Sequence, residues 1–158
     1  MADNSRIFAA IEVQTDPAKL RALMANARRK SVVDVYAAAF RRLTDIAPEE
    51  EPGTVEYDFW KGIAAVEQTL LEERGKAVRA TRTRQMVRKH GVIGTLGKLV
   101  TAKADDDGFD QIMARDLPEL TGEAVVIKHS SAFEPEIIAA ARARLARAGV
   151  DPGALPQG

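Results

Sequence analysis

Apolar residues recur at helical spacing in one segment of this chain after another. Leu20, Leu23, Met24 and Ala27 fall on one face of a 3.6-residue repeat. Asp16-Pro17 stands just ahead of them, where Asp offers an N-cap oxygen and Pro suits a first turn. Ser31 is placed to cap a second helix, with Val32, Val35, Tyr36, Ala39, Phe40, Leu43 and Ile46 as its stripe. Two amphipathic helices joined this tightly predict an antiparallel hairpin. "APEEEPGT", residues 47–54, then breaks the pattern and reads as a loop or linker.

Thr54 is the expected cap of a long helix running from Val55 towards Arg74. One face holds Val55, Phe59, Ile63, Val66 and Leu70; a second strip holds Tyr57, Trp60, Ala64 and Leu71. A helix with two apolar strips has to bury both, inside its own domain or against another subunit. Tyr57 and Trp60 are side chains of the kind that anchor interfaces, so Tyr57, Trp60 and Leu71 are the candidate surface for a homodimer. Continued as far as His90, this helix would span roughly 54 Å at about 1.5 Å per residue. That length suits a dimer, or a connector between two helical parts.

Three shorter helices are expected downstream. One lies near Asp107 to Arg115, the next runs from Pro118 to His129, and the last starts at Glu134-Pro135 and stops near Gly149. "EAVVIKH" has strand propensity, but one strand has no partner, and it reads as helix. The tail, residues 151–158, is expected to fray. The fold class is therefore all-α. A helical hairpin occupies residues 1–47. A long connecting helix with a basic segment and a C-terminal bundle of short helices occupies residues 54–150.

Composition agrees with a folded chain: 158 residues, 46% hydrophobic and 29% charged, enough to bury a core without metals or disulfides. The absence of cysteine excludes disulfides, thiol catalysis and cysteine-ligated zinc. Asp3 and Glu12 flank a short apolar N-terminal stretch that lacks the basic start of a secretory signal. No stretch approaches the roughly 20 apolar residues of a membrane span. A cytoplasmic protein with no membrane partner is the expectation.

Charge changes the picture. Residues 1–73 carry nine basic and thirteen acidic groups, residues 74–104 nine and none, and residues 105–158 five and ten. A neutral chain thus concentrates a net +9 in one acid-free segment. Arg79, Arg82, Arg84, Arg88 and Lys89 spread round most of a helical wheel, whereas Val92, Ile93, Leu96, Leu99 and Val100 form a compact apolar arc. Gly91, Gly94 and Gly97 lie opposite that arc, and each costs about 1 kcal/mol relative to Ala inside a helix. Either they admit close approach of a backbone or phosphate, or Gly91 ends one helix and Gly94 sits in a turn before the next.

An arginine-rich, acid-free helix suits phosphate backbones, with Thr81, Thr83 and Thr95 as added hydrogen-bonding groups. Arg79, Arg82, Arg84, Arg88, Lys89 and Lys98 are the candidate contacts to double-stranded nucleic acid. A helix-turn-helix with Gly91 at its turn fits badly, because Gly97 falls where the second helix needs a bulky apolar residue. Other readings compete. The basic segment pairs with Glu49–Glu51 and Asp105–Asp107 of its own chain or is a solvated face, or it meets an acidic protein surface or anionic lipid, the protein being a non-catalytic oligomeric adaptor in the protein-surface case.

Catalytic material is thin. His90 and His129 read as residues at helix C-termini, and "KHSS" lacks the glycines of a nucleophile elbow. "DDDGFD" offers Asp105, Asp106, Asp107 and Asp110, but no glutamate completes a calcium loop, and "GVIGTLGK" lacks the lysine-hydroxyl ending of a nucleotide loop. No catalytic residue, metal or cofactor is assigned, and a non-enzymatic DNA-binding or regulatory role is expected.

Overall fold

The computed structural model describes residues 3–103 and 107–156, and all regular structure among them is helical. The chain divides into two compact units, Met1–Pro48 and Glu49–Gly158. No helix among the described residues is long and apolar enough to cross a membrane.

The first unit holds α1 (Ser5–Val13), α2 (Pro17–Arg29) and α3 (Val33–Ile46). Asp16 caps α2 through its side chain, which accepts from the Ala18 amide. Leu20, Met24, Ala27, Val35, Ala39 and Phe40 form the core between α2 and α3. The sequence pattern did not predict α1, which buries only Ile11 fully; Arg42 Nε ties the chain after it by donating to the Gln14 carbonyl at 2.8 Å. Ser31 does not cap α3. It sits in the left-handed region at φ 59°, and Val32 takes the N-cap position without a side-chain bond.

The second unit opens with α4 (Val55–Arg74), capped by Thr54 Oγ1, which accepts from the Tyr57 amide. The helix does not run on to His90. It stops at Gly75, whose φ of 69° supplies the left-handed C-cap that glycine adopts without strain. After an irregular stretch, residues 76–80, the chain re-enters helix as α5 (Thr81–Thr101), broken at Gly91. Then come α6 (Asp107–Ala114), α7 (Gly122–Lys128) and α8 (Pro135–Arg147).

α7 is the middle of this unit. Glu123 through Ile127 are buried on every side, which is why its sequence is apolar without periodicity. Phe59 and Ile63 of α4, Leu96 and Val100 of α5, and Ala141 and Leu145 of α8 complete the core around it. Three charged fasteners hold the helix ends. Arg144 of α8 donates to buried Glu123 at 3.1 Å and to the Leu99 and Ala102 carbonyls at 3.1 and 2.6 Å, placing a cation on the C-terminal carbonyls of α5. Arg115, beyond α6, reaches Glu72 at 2.8 Å and Glu73 at 3.4 Å at the end of α4. Asp58 of α4 takes His129 Nε2 at 2.7 Å and Lys128 Nζ at 3.0 Å through one oxygen, Oδ2.

Candidate nucleic-acid interface

The basic helix is the first half of α5. Gly91, at φ 73° and ψ 175°, separates it from the second half. A Cβ at Gly91 would meet nothing within 4 Å, so this glycine is set by backbone conformation alone. Beyond the break, Thr95, Leu96, Gly97 and Val100 are buried. A Cβ at Gly97 would stand 3.0 Å from Ile137 Cδ1, so Gly97 serves the close approach of α8. Gly94 lies inside the second helical half and not in a turn. The second half is thus part of the core.

The first half divides into two sides. Thr81, Arg82, Gln85, Arg88 and Lys89 are exposed, and their spacing of three, four and seven places them on one face. Thr83, Arg84, Met86 and Val87 are half-buried, and His90, the last residue before Gly91, is exposed. The charges that spread round the wheel in sequence are therefore sorted by one exception, Arg84. Its Nη2 is 2.8 Å from Glu67 Oε1 and its Nε 3.3 Å from Glu67 Oε2. Its guanidinium lies 5.1 Å from the centre of the Trp60 ring. Glu67 Oε2 also accepts from the Ala80 amide at 2.7 Å. One carboxylate of α4 thus holds both the start of the basic helix and its only inward-facing arginine.

Arg82, Arg88 and Lys89 have no ion pair among the described residues. Arg79 is exposed in the stretch leading into the helix, and Lys98 is exposed beyond the Gly91 break, apart from this face. Glu49, Glu50 and Glu51 make no ion pair with the basic segment, and Asp105, Asp106 and the side chain of Asp107 lie outside the described residues. The first turn of α5 contains no acidic residue and its N-cap, Ala80, makes no side-chain bond.

Two of the candidate interface residues on α4, Tyr57 and Trp60, have partners within their own unit. Trp60 is half-buried, edge-on to Phe59 at 5.0 Å, with Arg84 on its face. Tyr57 carries the Lys61 ammonium 5.7 Å from its ring centre, and Leu71 is half-buried.

Two sets of residues lay beyond the sequence pattern. Glu67 is seventeen positions from Arg84, and Asp58 is seventy-one from His129. Burial works against the charged Asp58 carboxylate, but the hydrogen bonds from His129 and Lys128 outweigh it and hold Asp58 below the usual carboxylate range. His129 does close α7, as its place in the sequence suggests, and in addition orders the start of α4. Comparison with family models, curated proteins and solved structures finds no match.

Proposed function

We propose that the protein is a non-enzymatic nucleic-acid-binding or regulatory protein that grips the phosphates of a duplex with the outer face of α5. The observation that carries this reading is the sorting of charge along one helix. Arg84, the arginine that points inward, is neutralised by Glu67, while Arg82, Arg88 and Lys89 share the exposed face without an acidic partner among the described residues. Thr81 and Gln85 lie between them and add hydrogen-bonding groups of the kind that meet phosphate and sugar. Long cations left facing water on a chain of zero net charge match a polyanion, whose counterions they displace.

Anisotropy titration of a labelled duplex at two salt concentrations tests this, with the triple variant Arg82→Ala, Arg88→Ala, Lys89→Ala alongside. Alanine keeps helix propensity, so the variant retains its fold. Each lost phosphate contact lowers the slope of log affinity against log salt by about 0.9, a fall of roughly 2.7 for the set. A duplex affinity equal in both proteins would refute the reading.

A further inference from the structure

The side of the basic helix that turns away from solvent borders a cavity of about 150 Å³. Phe59 and Val66 of α4, Leu96 and Leu99 of α5, and Phe109 and Ile112 of α6 are among its apolar lining, and Thr121 and Glu123 at the start of α7 add polar groups. Ala80 and Thr83, at the start of the basic helix, close one side. The pocket is partly open to solvent, and its deeper wall is made of buried apolar side chains. A largely apolar pocket of this volume has room for about one aromatic ring. The charged group in its lining, Glu123, is buried and engaged by Arg144 at 3.1 Å, so a charged ligand would find no opposite charge there to spare.

We infer that this cavity binds a compact, uncharged, apolar molecule of about one ring, and that its occupancy alters the basic helix. Geometry couples the two. Thr83 touches the cavity while Arg82 and Gln85, its neighbours on the helix, face solvent. A ligand packed on Ala80 and Thr83 fixes the position of the first turn, which in its absence depends on the Glu67 bonds to Ala80 and Arg84. Trp60 is a built-in reporter: it is the chain's only tryptophan, and its ring stands 5.0 Å from Phe59 in the cavity wall. The binding step needs no nucleic acid; only its consequence for duplex affinity rests on the phosphate reading.

The test is a benzene titration of the full-length protein, followed by amide NMR and by thermal melting. Saturable shifts at the lining residues and at residues 80–89, with a higher Tm, are expected. Val66→Phe fills the space from α4 and should abolish the benzene shifts while melting at or above the wild-type temperature. Shifts that grow linearly without saturating, or a Tm that benzene leaves unmoved, overturn the site whatever Val66→Phe does. Saturable shifts confined to the wall, with none at residues 80–89, overturn the coupling. Saturable binding in a protein that ignores duplex sinks the phosphate reading alone.

Discussion

Glu67 holds the Arg84 guanidinium at 2.8 Å and the Ala80 amide at 2.7 Å, so one side chain of α4 sets where the basic helix begins. Ala80 has no side chain able to cap a helix, and the carboxylate takes over part of that task from a distance. The face formed by Arg82, Gln85, Arg88 and Lys89 inherits its orientation from this bond.

Glu67→Ala should therefore loosen the helix start. It leaves a half-buried arginine and a backbone donor unmatched, at a cost of about 1–3 kcal/mol. Hydrogen exchange is expected to accelerate at residues 80–84 ahead of the core of α7. Arg84→Ala should cost less, since Glu67 keeps its bond to Ala80. Equal exchange at residues 80–84 in wild type and Glu67→Ala would show that the carboxylate does not anchor the helix.

The Asp58 group gives stability a pH dependence of definite sign. Its folded-state pKa lies below the ordinary 3.8, so its contribution is present above that value and is lost as pH falls through the lower folded-state value. Urea midpoints of the wild type should drop on acidification below about pH 4, and Asp58→Asn should flatten that part of the curve. His129→Ala, measured near neutral pH, should cost about 1–3 kcal/mol by removing one partner of a buried carboxylate.

Gly91 holds a conformation, φ 73° with ψ 175°, that is closed to side-chain-bearing residues. Nothing crowds it, so Gly91→Ala tests backbone strain and not packing. The expected loss is about 1–3 kcal/mol by chemical denaturation. A variant as stable as the wild type would mean that the two halves of α5 run on without this break.

The elements legible in the sequence were those marked by both periodicity and a local signal. Asp16-Pro17 announced α2, Thr54 announced α4, and Glu134-Pro135 announced α8, each within a residue of its observed start. α1 escaped because it buries only Ile11 fully and so shows no stripe. The stop at Gly75 is written in the chain, and the left-handed turn there rules out an unbroken helix from Val55 to His90. Buried Asp58, Gln68 and Thr69 on α4 were hidden because a polar residue gives no apolar signal. The basic face was legible as composition only. Which arginine turns inward depended on Glu67, a single acid on another helix, and not on the conspicuous run Glu49–Glu51.

Thr95 is fully buried, and its hydroxyl has no hydrogen-bond partner among the described residues. A buried unmatched hydroxyl costs about 1–3 kcal/mol, and an apolar isostere relieves it. Thr95→Val should raise the urea midpoint, by about 1 kcal/mol in stability. A lower midpoint would place a partner on that hydroxyl.

The most direct measurement is a map of the duplex footprint on the protein itself. Amide NMR of the labelled chain, titrated with a short duplex at low salt, reports every residue at once. The largest shifts are expected at residues 79–90, centred on Arg82, Gln85, Arg88 and Lys89, with α7 and α8 little changed. Shifts centred elsewhere, or none at saturating duplex, would contradict the phosphate reading.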